Sequence, residues 1–222
     1  MNDATTFYAI IDSLAKNYEV QDIILPTSTC IFLLESPHRQ EVRYKAPVAG
    51  SSGATMSKHI FGSEYAKFPL GLMVKKNALE KTNRPRLNGI GLLNVCNVPL
   101  QRSAYEHPAL TERLRDWFDA MEYVRTNNQK DTFADARQQE VQTLLVQQLK
   151  DKLQMFSHRS MTLIPCGRFA QKFLRLTGLS DPLWQVIDDV PHPSYNSWDR
   201  AGYQPQVQAV CKAVEQAAVE LK

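Results

Sequence analysis

Five apolar residues in succession, Cys30-Ile31-Phe32-Leu33-Leu34, run directly into Glu35-Ser36-Pro37-His38-Arg39. A run so short and so uniformly apolar reads as a strand over about 29–35, covered on both faces as in parallel sheets packed between helices. Its end in a carboxylate, a hydroxyl, a proline and an imidazole sets polar groups just beyond the carboxyl end of the strand. Open α/β sheets bind their ligands there.

The rest of the chain supplies the partners such a strand needs. Phe7, Ile10, Ile11, Leu14 and Tyr18 recur at helical spacing within 5–18. Ala49-Gly50-Ser51-Ser52-Gly53-Ala54-Thr55-Met56 opens a helix predicted to run to about Ile60. Its small residues leave backbone N–H groups open to a phosphate or other anion, and serve equally as an ordinary N-terminal cap. Residues 75–86, rich in Lys and Arg, fit either a solvated charged loop or one that tracks a nucleic-acid backbone. Ile90–Pro99 reads as a second buried strand, with Asn94 the first polar side chain after its apolar run.

Helices are predicted over about 108–125 and 134–157. The second is striped by Val141, Leu144, Leu145, Leu149, Leu153 and Phe156, with its glutamines and charges facing elsewhere. A third strand, Met161–Cys166, ends at Gly167 and leads into a helix that Gly178 stops. A fourth, short strand near 184–190 runs into Pro191-His192-Pro193-Ser194-Tyr195-Asn196-Ser197-Trp198, whose prolines hold His192 on a stiff loop. A closing helix spans about 204–221, striped by Val207, Val210, Val214, Ala217 and Leu221. Strands alternating with helices predict a mostly parallel four-stranded sheet covered by helices on both faces.

With 222 residues and 43% hydrophobic content, the chain has enough apolar material for one domain over 1–222. A net charge of +3 permits a nucleic-acid partner without requiring one. Cys30, Cys96, Cys166 and Cys211 are far apart, which argues for buried reduced thiols and against a metal centre. The histidines show no HxH or HExxH spacing, so no metal and no cofactor is expected. No signal-like start and no membrane-length apolar run is present, which implies a soluble intracellular protein.

The polar groups at the strand ends are Glu35, Asn94 and His192. Together they supply a base or cation stabiliser, an amide reading both donor and acceptor edges, and a donor for a developing anion. A Cys96–His192 nucleophilic pair lacks an orienting partner, and Ser194 lies too near His192 in sequence for a standard triad.

These stretches, in this order, resemble the uracil-DNA glycosylase superfamily, most of all its thermophile-type branch. That branch has a strand leading into Gly-Glu-Ala-Pro-Gly with a further acidic residue, then Pro-Phe-Val-Gly-x-x-Gly opening a helix. The counterparts here are Glu35-Ser36-Pro37-His38-Arg39-Gln40-Glu41 and Pro47-Val48-Ala49-Gly50-Ser51-Ser52-Gly53. Leu93-Asn94-Val95 resembles the family's central Asn-Val strand, and His192-Pro193-Ser194-Tyr195 its late loop.

The resemblance implies a three-layer α/β/α sandwich, a monomer acting on DNA, and hydrolysis of the N-glycosidic bond of a flipped-out uracil or other deaminated base. It assigns catalysis to Glu35 and His192, and contact with the base to Pro37, His38, Val48 and Asn94. DNA phosphates or groove fall to Gly50, Ser51, Ser52, Ser194, Tyr195, Asn196 and Trp198, with Trp198 as a candidate wedge. The chain departs from the pattern at Val48, where the family stacks a Phe, and at His38, where it has a glycine. The family's cluster cysteines are missing, so no iron–sulfur cluster is expected. A non-catalytic nucleic-acid-binding member of the same fold, and a hydrolase of small N-glycosides, are the alternative readings.

Overall fold

The computed structural model describes residues 6–219. Its helices, in chain order, are α1 (Phe7–Tyr18), α2 (Arg39–Tyr44), α3 (Ser51–Phe61), α4 (Leu70–Glu80) and α5 (Pro85–Asn88). They continue with α6 (Pro108–Arg113), α7 (Arg115–Thr126), α8 (Ala136–Gln154), α9 (Arg168–Thr177) and α10 (Gln204–Val219). The strands are β1 (Cys30–Leu34), β2 (Ile90–Asn94), β3 (Met161–Pro165) and β4 (Trp184–Val186), and all pair in parallel in the order β2-β1-β3-β4.

Every residue of β1 is buried, because the alternation of a strand sends its side chains into two separate cores. Ile31 and Leu33 join Leu93, Leu163 and the stripes of α1, α7, α8 and α9. Phe32 and Leu34 join Leu92, Ile164 and apolar residues of α3, α4 and α10. The result is the expected three-layer α/β/α arrangement. The chain leaves β1 toward β2, then crosses back to β3 on the other side of β1. The carboxyl ends of β1 and β3 therefore flank the switch point at which such sheets bind ligands.

Several elements differ from expectation. The helix over 108–125 is two helices broken at Leu114, whose φ of −105° and ψ of 25° leave the helical range. The fourth strand is only Trp184–Val186, and the chain then turns through Asp188 and Asp189 toward His192. Of residues 75–86, expected as one loop, only 81–84 are loop; the rest are the end of α4 and the start of α5. Asn77 is buried there and stitches the turn, accepting from Thr82 Oγ1 and the Arg84 N–H while donating to Asn88. Arg86 donates to the Ile60 carbonyl at 2.8 Å, and Lys75 to that of Tyr44, so these cations tie helices together. On α8, Gln142 is buried and donates to the Asp131 carbonyl, against the expectation that the glutamines face away. Residue 5 and Leu221 lie outside the described residues. Among the described residues no helix is long and apolar enough to cross a membrane.

Candidate active site

Register brings two of the singled-out residues together. Leu34 pairs with Asn94 across β1 and β2, so Glu35 leaves the sheet one residue past the Asn94 level. His192 arrives from the opposite side. The Gly167 N–H, just past β3, donates to the Val190 carbonyl at 2.9 Å, drawing the His192 loop against the strand end. Gly167 adopts φ of +88°, and a Cβ there would meet His192 Cβ at 2.8 Å, so both the backbone and the close approach require glycine.

A cavity of about 400 Å³ opens at this corner. Glu35, His38, Val48, Asn94 and His192 line it, together with Gly50, Ser51 and Ser52 at the start of α3 and Ser194 and Tyr195 at its rim. No side chain caps α3, which leaves its first-turn N–H groups available to an anion. Pro37 is buried and does not line the cavity. Asn196 is exposed outside it.

Trp198 is not a wedge. It is completely buried, packs in the core beneath α10 and donates its indole N–H to the Pro191 carbonyl at 2.8 Å. Ser197 Oγ, bonded to the His192 and Ser194 carbonyls, completes the anchor. The projecting residue is Tyr195, 90% exposed at a tip where Tyr195 and Asn196 take successive left-handed conformations, φ +55° and +52°.

Asn94 is fully buried, yet neither atom of its side-chain amide has a hydrogen-bond partner among the described residues. Its backbone is held instead, the N–H donating to Asp22 Oδ1 at 2.8 Å and the carbonyl accepting from Lys152 Nζ at 2.7 Å. An unpaired buried amide costs about 1–3 kcal/mol, which a ligand offering a matching donor and acceptor would recover.

The His192 ring has a defined tautomer. Nδ1 accepts from the Ser194 backbone N–H at 3.3 Å and lies 2.7 Å from Ser194 Oγ, so the ring proton sits on Nε2. Burial, with the charge of Arg125, lowers its pKa to about 4. A neutral imidazole with an N–H to donate results.

Glu35 pairs with Arg125, the last turn of α7 reaching across to the end of β1. Burial pushes the carboxyl upward in pKa, and Arg125 opposes it. Sequence reasoning missed Arg125, although it falls seven residues after Phe118 on the inward stripe of α7, an anomalous place for a cation. It also missed Gln40 and Gln101 in the lining. A neighbouring cavity of about 540 Å³ shares Glu35, His192 and Tyr195, and is lined further by Asn128, Arg168 and Arg200. Arg168 directly follows Gly167, the expected end of the third strand, so the same strand-end signal points to it.

Burial raises the thiols of Cys30 and Cys96 to about 12 and 11, so Cys96 is no nucleophile at neutral pH. No family model matches the sequence, and no curated protein matches it significantly. Function has to be read from the site itself.

One wall of the cavity is strained. Val48 has φ of +45°, an outlying conformation for a β-branched residue. The Glu41 carboxylate holds it there, accepting from the Val48 N–H at 2.5 Å and from the His38 N–H at 2.7 Å. Burial nevertheless lifts the Glu41 pKa to about 7, against these two donors. Between its ordinary 4.5 and about 7 the folded protein therefore keeps a proton that the unfolded chain has released. Stability is expected to fall by about 3 kcal/mol through this group as pH rises across that window. Urea unfolding at several pH values checks it: Glu41→Gln should flatten the slope, and an unchanged slope would refute the assignment.

Proposed function

We propose that the protein is a DNA glycosylase-like enzyme that hydrolyses the N-glycosidic bond of a flipped-out uracil or another deaminated base. The observation that carries this reading is the orphaned, fully buried Asn94 amide in one cavity with a neutral, Nε2-protonated His192 and the Glu35 carboxylate. A keto base presents a ring N–H and a carbonyl oxygen side by side, which one amide can match.

As the bond between C1′ and the base nitrogen breaks, its electron pair passes to the base and the sugar becomes an oxocarbenium ion. His192 Nε2–H donates to the anionic base oxygen, acting where charge develops. Glu35 faces the sugar cation, or orients the water that adds to C1′ and takes its proton. The α3 N-terminus, with Ser51 and Ser52, grips a flanking phosphate. Val48 gives the base an aliphatic wall in place of an aromatic one.

Oligonucleotides carrying uracil, hypoxanthine or xanthine, single- and double-stranded, followed by alkaline cleavage, test the reading. Strand scission with at least one base is expected. Salt-sensitive binding without scission would replace it with the non-catalytic reading, and turnover of free nucleosides alone with the small N-glycoside hydrolase. Tyr195→Ala is expected to slow release from duplex about tenfold and from single strands little, since a stacking aromatic is worth about 1–3 kcal/mol per base. Equal losses on both substrates would remove the wedge role.

A further inference from the structure

Arg125 makes its side-chain hydrogen bond to a carboxylate that lines the cavity, whereas Arg39 and Arg200 bond backbone carbonyls. Arg102, nearby in the chain, bonds Glu122, Asp119 and the Arg115 carbonyl, an ordinary cross-link between segments. Arg125 makes a single hydrogen-bonded contact: its Nε donates to Glu35 Oε1, and its other N–H groups have no hydrogen-bond partner among the described residues. Glu35 Oε2 likewise has none, and the residue lines both cavities. One oxygen is thus tied back toward α7 while the other is free.

We propose that Arg125 is the positioning residue of the site: it keeps the Glu35 carboxylate charged and decides which of its oxygens meets the substrate. The inference rests on the N-glycosidase reading above and specifies how its carboxylate is controlled. The charged and titratable groups around Glu35 are Arg125 from α7, which lowers its pKa, and Glu41 from α2 and Cys96 from the segment after β2, both of which the Glu35 charge pushes upward. Burial lowers the pKa of both His38 and His192, and the Arg125 charge adds to the effect on each. Arg125 is the attractive partner of the carboxylate in this set. Without it, burial favours a neutral Glu35, which has no charge to offer a sugar cation.

Two measurements on the full chain test this. The first is the pH dependence of single-turnover base release for wild type, Arg125→Gln and Arg125→Lys. The second is a titration of the Glu35 carboxyl by ¹³C NMR, with the resonance assigned by its loss in Glu35→Gln. In Arg125→Gln the acid limb and the NMR midpoint should move upward together by about 1–3 pH units. Substrate KM should hold while kcat at neutral pH falls and recovers as pH rises. Arg125→Lys should restore most of the midpoint but only part of kcat, because an ammonium does not reproduce the directed Nε contact.

A loss of kcat that is the same at every pH, with the midpoint unmoved, would overturn the proposal. A rise in KM alone would do so too, showing a phosphate contact instead. If wild type releases no base, the N-glycosidase reading fails, and the NMR midpoint still decides whether Arg125 controls Glu35.

Discussion

Glu35→Gln is expected to slow base release about 10²–10⁴-fold, the usual contribution of a positioned acid–base group, while DNA binding stays close to wild type. The amide keeps the size of the carboxyl and an oxygen for Arg125 to bond, so the wall of the cavity survives. What disappears is the negative charge facing the sugar. His192→Ala removes the Nε2–H donor and should cost about 10²–10³-fold, comparable with the loss of one preorganised donor to a developing anion. Single-turnover rates and binding by fluorescence anisotropy separate the two effects. Equal losses in rate and binding for both variants would make these residues structural.

Gly53→Ala is expected to destabilise the protein by about 3 kcal/mol, at the upper end of overpacking costs, lowering the melting temperature by about 10 °C. A Cβ on Gly53 would fall on the Val48 carbonyl oxygen, well inside van der Waals contact. On the other side of the same segment, a Cβ on Gly71 would fall on the Pro47 carbonyl oxygen. α3 and α4 therefore pinch the Pro47–Val48 peptide between two glycine surfaces, and Glu41 pulls on it from α2. No side-chain rotation relieves a clash with backbone, so the segment must leave and take Val48 out of the cavity wall. Calorimetry checks the size of the loss. An unchanged melting temperature would mean that the strained Val48 conformation is not held by this pinch.

The Gly53 result shows where a sequence misleads by being locally plausible. Small residues at 49–56 read as a helix start with exposed N–H groups, and Gly50, Ser51 and Ser52 are that. Gly53 sits in the same stretch but is there for a close helix-to-backbone approach, made with a segment whose position depends on α4. The two aromatics of the His192 loop make the same point. Tyr195 and Trp198 are both amphipathic rings beside polar residues, and only the packing under α10 buries one and leaves the other 90% exposed.

The sequence by itself determined the strands, most of the helices and the α/β class, since burial on two faces and helical striping are written in local spacing. It also determined that Glu35 and Asn94 close apolar runs at strand ends, whereas β4 ends at Val186, six residues before His192. The tertiary structure alone decided the order β2-β1-β3-β4, the approach of His192 to Gly167, and the reach of Arg125 from α7 to Glu35. Contacts such as Arg125 to Glu35 join residues 90 positions apart, and no local periodicity encodes which distant partners meet. The sheet order does, by setting the ends of β1 and β2 side by side at the cavity and placing β3 on the other side of β1, where Gly167 holds the His192 loop.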